Sequence, residues 1–269
     1  MTILNFLTKT AKKAGNLVLE GSKKPFKITK KGENDLVTQI DKASEQLIIR
    51  EIKSAFPDHS IIAEESSFKE TSIESSKYIW FIDPLDGTTN FVHGLPLYSV
   101  SIALFKTASS KISKNFDYLN GNLIAGVVYA PALNEIFYAE EGKGAFLNGK
   151  KIHVSKTKTV KDSLLVTGFP YNNKKINLPY FTLMLDKSQA VRRLGSAALD
   201  LCYTAAGRFD GYWEFGLKPW DIAAGALIIK EAGGLVTDTS GNLLDLFGAD
   251  ILATNKNIHK ETVKNFSRL

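Results

Sequence analysis

The sequence predicts a layered α/β sandwich, two sheets with helices packed between and outside them. Three observations lead there. Helical and strand periodicities alternate along the 269 residues. The middle of the chain reads as antiparallel hairpins, which argues against the alternative, a plain doubly wound parallel sheet. No repeat, low-complexity tract or linker divides the chain. We therefore expect one domain over residues 1–269, with sub-layers at about 1–150 and 151–269.

The elements follow in order. Ile3, Phe6, Leu7, Ala11, Ala14, Leu17 and Val18 recur at helical spacing, so the N-terminus is an amphipathic helix. Its lysines are too frequent for a secretory signal. KITKKGENDLVTQ is polar and contains glycine, as a loop or hairpin does. DKASEQLIIREIKSAF sets Ala43, Leu47, Ile48, Ile52 and Ala55 on one helical face, with Asp41 as its starting cap. SIIAEE and YIWFID are short strands, and the β-branched SVSIALFK and NLIAGVVYAP are sheet interior. EIFYAEEG and AFLNGKKIHV continue the sheet, the latter turning at Asn148-Gly149. SLLVTGFP is a strand, and SAALDLCYTAAG a helix ending at Gly207. DGYWEF is a strand, DIAAGALIIKEAGG a helix closed by Gly233 and Gly234, GLVTD and ILATN strands, and NIHKETVKNF a last helix. The stretch from Tyr171 to Leu185 has no readable period.

A hydrophobic fraction of 44% with 23% charged residues belongs to a globular chain, not a disordered one. The lone cysteine, Cys202, excludes an intramolecular disulfide and points to a reducing, cytoplasmic compartment. It lies in an apolar helical pattern, so it reads as core, not nucleophile. No apolar run is long enough to cross a bilayer. The net charge of +6 comes from scattered lysines, the densest group, Lys23 to Lys31, being broken by Pro25. That is a solvated surface; nucleic-acid binding has no further support.

Four acidic spots stand at junctions where strands end and helices begin, the places where α/β folds gather ligands. They are Glu64-Glu65, Asp83 with Asp86, Asp221, and Asp41. Singly, Asp41 and Asp221 are helix caps, Asp83-Pro84 starts a turn, and Glu64-Glu65 is surface charge. Together, carboxylates from separate segments need a shared cation to offset their repulsion. The four histidines are not spaced as a zinc pair and the cysteine is single, so hard oxygen donors favour Mg²⁺, with Mn²⁺ as substitute. No GxxxxGK[ST] phosphate loop occurs. Hydrolysis of a phosphate ester is the simpler chemistry for such a cluster.

The run Asp83-Pro84-Leu85-Asp86-Gly87-Thr88-Thr89-Asn90-Phe91 resembles the first signature of the inositol monophosphatase family, Mg²⁺-dependent, lithium-sensitive sugar phosphatases. Trp220-Asp221-Ile222-Ala223-Ala224-Gly225, continuing to Gly234, resembles the second. Glu64-Glu65-Ser66 and Asp35-Leu36-Val37-Thr38 with Asp41 are similar to its acidic turn and N-terminal element. The resemblance implies an αβαβα sandwich of the sugar phosphatase type, and a homodimer. It implies that Glu64, Asp83 and the Leu85 carbonyl hold one Mg²⁺, that Asp83, Asp86 and Asp221 hold a second, and that a looser third involves Glu64. Thr88, bonded to Asp41, would orient the attacking water, the Gly87 and Thr88 amides would meet the phosphate, and the loop Lys30 to Asn34 would fold over the site. His93, beyond the ligands, would be structural.

The signature settles chemistry, not substrate. Gly195-Ser196-Ala197 and Glu214, seven residues before Asp221, resemble the inositol monophosphatase branch, where such an acid meets substrate hydroxyls. The expected function is hydrolysis of inositol monophosphate or a related polyol phosphate. The alternatives are a 3′(2′),5′-bisphosphate nucleotidase, a fructose-1,6-bisphosphatase or an NADP phosphatase. In a nucleotide-type rival the paired Arg192 and Arg193 would hold the second phosphate; the reading sets them at a subunit contact instead. A different class is a regulatory protein that binds the transcription machinery.

Overall fold

A computed structural model of the chain describes residues 2–30, 36–66, 76–108, 121–171 and 173–269. The expected loop from Lys30 to Asn34 lies outside the described side chains.

Alternation along β4 (Tyr78–Asp86) shows how the layers are made. Ile79 and Phe81 point to one side and Trp80 and Ile82 to the other, and all four are fully buried. A strand buried on both faces must lie between two helical layers. Outside it pack α1 (Ile3–Ser22) and α2 (Gln39–Ala55), through Phe6, Leu7, Ala11, Ile48 and Ile52. Inside pack α5 (Ala197–Ala205) and α6 (Pro219–Glu231). Both inner helices are apolar almost all round because sheets cover them on both sides.

Among the described residues the larger sheet has seven strands in the order β3 (Ser60–Ala63), β4, β5 (Ser99–Thr107), β6 (Gly121–Ala130), β7 (Glu135–Glu140), β8 (Ala145–Leu147), β9 (Lys150–Ile152). Only β3–β4 is parallel. The β8–β9 turn uses Asn148 and Gly149, both at positive φ, as a two-residue hairpin requires. The second sheet orders β11 (Ala190–Arg192), β10 (Leu164–Thr167), β12 (Gly211–Phe215), β14 (Asp250–Thr254), β13 (Leu235–Thr237). Its outer face, with Leu165, Trp213, Phe215 and Leu252, is covered by α4 (Leu178–Lys187) and α7 (His259–Phe266) through Met184, Ile258 and Phe266. The architecture is the expected αβαβα sandwich, and two separate sheets exclude the doubly wound alternative. A hairpin of β1 (Ile28–Lys30) and β2 (Leu36–Thr38) precedes α2.

Several elements differ from expectation. The unreadable stretch holds α4, whose period is blurred because Leu178 and Leu185 remain exposed while only Met184 is fully buried. The three-residue β11 and the five-residue α3 (Thr88–Val92) are too short to show a period. On α2, Ala55 is exposed, and the buried face begins with polar Asp41, Ser44 and Glu45. Asp41 is not the helix cap. Thr38 is, and Asp41 sits three residues on, accepting from Thr38 N at 2.9 Å.

Candidate active site

Asp83 and Asp86 do not flank a turn; both lie within β4. Asp83 pairs with Ser101 and Asp86 with Ser99, so Pro84 and Leu85 together face Val100 alone. This is a β-bulge. Pro84 has no N–H to give the ladder, which is why the strand breaks register here. In a regular strand, residues three apart point to opposite faces. The extra residue restores parity, and both aspartates reach one cleft.

The strand ends directly at Gly87, whose φ of 88° lies in the left-handed region, and any Cβ there would stand 2.8 Å from Leu97 O. That turn sends the chain into α3. Thr88 Oγ1 lies 3.0 Å from both Asp41 Oδ1 and Leu85 O, and its single proton serves one of them at a time.

The cleft has a volume of ≈ 720 Å³ and opens between the two sheets. The larger sheet supplies Glu64, just beyond β3, and the run from Asp83 through Thr89 apart from Pro84. The smaller sheet supplies Gly168 to Tyr171 beyond β10 and Glu214 to Lys218 at the end of β12. Gly195, Ser196 and Ala197 enter ahead of α5, and Asp221 with Trp220 at the start of α6. Each predicted site residue therefore lines this one cleft except Asp41, which stands behind Thr88. Asp221, like Asp41, is the third residue of its helix; Oδ2 accepts from Lys218 N at 2.7 Å.

The carboxylates strain against one another. Burial pushes Asp83 well above the usual carboxylate range, and Glu64, Asp86 and Asp221 push it further. Burial, then Glu64, does the same to Asp221. Asp86 is raised to about 6 by burial, an effect held down by bonds to Oδ2 from Ser196 Oγ and Ala198 N. Burial raises Asp41 too, against the bonds from Thr38 and Thr88. Glu214 reaches about 7 through burial, partly offset by Tyr212 OH donating at 2.8 Å.

Sequence reasoning passed over Lys218 and the lip Phe169 to Tyr171, and it set Arg193 at a subunit contact, where the structure puts it in the cleft. Arg193 and Lys218 bring positive charge into the cleft, whereas Arg192 is exposed on β11 and does not line it. Phe169, Pro170 and Tyr171 form an apolar lip, and Tyr171 OH lies 3.2 Å from Thr89 Oγ1 across the cleft. The available signal was the Gly-Phe-Pro that ends a strand at the mouth of a parallel pair. Cys202 is buried and His93 exposed.

A profile of the inositol monophosphatase family matches residues 1–269. The chain belongs to the inositol monophosphatase family. It is 45% identical over 264 residues to the Nus factor SuhB of Pasteurella multocida, covering 96% of this chain and 93% of that one. It is 41% identical over 268 residues to the chloroplastic phosphatase IMPL1 of Arabidopsis thaliana, covering 98% and 70%. Among solved structures, an inositol monophosphatase of Anabaena (Nostoc) superposes with a TM-score of 0.85 at 39% identity, covering 99% and 95%. The family is generally Mg²⁺-dependent.

The donors in the cleft fit such an ion by their chemistry: carboxylate, carbonyl and hydroxyl oxygens, with no sulfur or imidazole lining it among the described residues. Among the described residues no three His, Cys, Asp or Glu side chains stand together as a finished shell. One oxygen each of Asp83, Asp86 and Asp221 is held by Leu85 N, by Ser196 with Ala198 N, and by Lys218 N. No described helix is long and apolar enough to cross a membrane.

Proposed function

We propose that the chain is a Mg²⁺-dependent phosphomonoesterase acting on inositol monophosphate or a similar polyol phosphate. The observation that carries this reading is the bulge that turns Asp83 and Asp86 into one cleft with Glu64 and Asp221. Glu64, Asp83 and the Leu85 carbonyl would hold one ion, and Asp83, Asp86 and Asp221 a second, with a looser third near Glu64 and Mn²⁺ as substitute. Bound there, the ions offset the carboxylate repulsion, neutralise phosphate oxygens and acidify water.

The chain's own groups do the rest. Thr88, donating to Asp41, turns its lone pairs to the cleft and accepts a hydrogen bond from the attacking water, which orients it. The first amides of α3, from Gly87 and Thr88, have no helical acceptor and meet the phosphate oxygens. Ser196 and Ala198 N hold Asp86, and Gly195 to Ala197 form the wall beside the substrate. Glu214 accepts from vicinal hydroxyls of the polyol, and its place opposite the aspartates sets the substrate's orientation. Attack of water on phosphorus releases the polyol and inorganic phosphate.

Phosphate release from inositol 1-phosphate, fructose 1,6-bisphosphate, adenosine 3′,5′-bisphosphate, NADP and histidinol phosphate, with and without Mg²⁺, tests this. Fastest Mg²⁺-dependent release from the inositol ester is expected. Preference for a bisphosphate would turn the reading towards Arg193 and Lys218 as holders of a second phosphate. No Mg²⁺-dependent release from any ester would end it. A homodimer and inhibition by lithium belong to the same proposal; sedimentation and a LiCl titration check them.

A second reading draws on the name of the Pasteurella multocida relative, a Nus factor. A role on the transcription machinery would coexist with catalysis, and binding to purified RNA polymerase by a chain with Asp83→Asn separates the two.

A further inference from the structure

The polar face at the start of α2 contributes more than Asp41. Asp41, Ser44 and Glu45 stand at i, i+3 and i+4, on one side of the helix, and all three are buried. Buried polar groups are tolerated only when hydrogen-bonded. Each of these reaches a different segment that carries or adjoins cleft residues. Asp41 accepts from Thr88, and Ser44 donates to Pro84 O, inside the bulge, at 2.9 Å. Glu45 accepts from Glu65 N at 2.7 Å through Oε2 and from the Ser66 hydroxyl through Oε1.

Glu65 and Ser66 directly follow Glu64. The N–H of Glu64 donates to Ile82 O at 3.2 Å, which continues the parallel ladder of β3 and β4. The turn is thus pinned on one side by the sheet and on the other by both oxygens of a buried carboxylate. Glu45 does not itself line the cleft.

We propose that Glu45 is a positioning residue for the divalent cation: it fixes the turn that presents Glu64 to the cleft. This rests on the reading above that Glu64 is a cation ligand. Two charge-assisted bonds to consecutive residues remove the rotational freedom of the turn, so Glu64 is aimed before the cation arrives. α2 then acts as one rigid bar that sets Thr88, the Pro84 bulge and the Glu64 turn relative to one another.

The test is Mn²⁺ binding to the full chain without substrate, followed by electron paramagnetic resonance, with a melting curve for each variant. Glu45→Ala should raise the Mn²⁺ dissociation constant about tenfold or more, as loss of a partner behind a metal ligand does. Ser66→Ala, an exposed site, should raise it by roughly threefold through loss of one of the two bonds. Glu45→Gln should stay within about twofold, because its amide oxygen still accepts from Glu65 N and its NH₂ can donate to the Ser66 hydroxyl. At saturating Mn²⁺ the Glu45→Ala turnover should return towards the parent value, which a merely structural role does not predict. Unchanged Mn²⁺ affinity in folded Glu45→Ala overturns the proposal. If that variant does not fold, unchanged affinity in Ser66→Ala overturns it instead. Failure of the unaltered chain to bind Mn²⁺ overturns the proposed function and this inference with it, whereas normal binding with unmoved variants removes Glu45 alone.

Discussion

Replacing Gly168 by alanine tests how Glu214 is held. A Cβ on Gly168 would lie 2.1 Å from both Oε1 and Oε2 of Glu214. Ordinary contact requires a retreat of roughly 1.3 Å. The backbone is poorly placed to make it, because Gly168 O accepts from Asn177 Nδ2 at 2.6 Å, and Asn177 Oδ1 in turn accepts from Trp213 Nε1 at 2.6 Å. The Glu214 carboxylate must yield instead, and its 2.8 Å bond from Tyr212 OH breaks. A buried bond lost with its partner left behind costs about 1–3 kcal/mol. For a chain of this size that is a fall in melting temperature of about 2–10 °C. A displacement of about 1 Å in a substrate-positioning group costs on the order of 10²-fold in rate. We therefore expect kcat/KM for inositol 1-phosphate to fall by about 30- to 100-fold. Turnover of an aryl phosphate, which offers Glu214 no hydroxyls, should stay within about threefold. Steady-state phosphate release from the two esters, beside a melting curve, measures both effects. Equal losses on the two substrates, or none on the inositol ester, would refute the role given to Glu214 and the steric reasoning with it.

Other outcomes follow from the same geometry. Asp83→Asn should abolish turnover, since a group proposed to hold the cation is lost, while the metal-free variant melts no lower than the parent, since the site no longer sets a buried carboxyl against Glu64, Asp86 and Asp221; near-normal activity in a folded variant would contradict the ligand assignment. Metal-free stability should fall as pH rises. Asp86 moves from 3.8 in the unfolded chain to about 6 when folded, so the folded state holds the extra proton and its advantage is lost as pH climbs through that window. Asp86 alone contributes a loss of roughly 1 kcal/mol between pH 5 and pH 8. Mg²⁺ at a hundred times its dissociation constant should restore about 2.7 kcal/mol at pH 8, and a melting series with and without Mg²⁺ reads both. Burial pushes the Cys202 thiol well above its ordinary range, so labelling by a disulfide reagent should be no faster than unfolding; rapid labelling of the native chain would place Cys202 elsewhere.

The layered fold was legible because its signals are local. Phe6, Leu7, Ala11 and Val18 carry the face of α1 in their spacing alone, and the apolar runs of β4 and α6 announce burial on both sides. The carboxylates were legible as a group because each stands where a strand or helix starts or stops. Their chemistry was read from residue type, and the assignment of each to an ion from resemblance to a family.

What the chain could not reveal is how those groups come to face one another. Asp83 and Asp86 at a spacing of three look like the rim of a turn; only the ladder with Ser99 and Ser101 makes the spacing a bulge. Asp41 looks like a cap from its own segment; Thr38 takes that place, and the bond from Thr88, 47 residues away, was expected only from resemblance to a family. Glu45 and Gly168 have no local mark, since their partners come from distant segments. Periodicity records how a residue meets its own helix or strand. Direction towards a residue on another sheet depends on register and layer packing, and those exist only once the whole chain has folded.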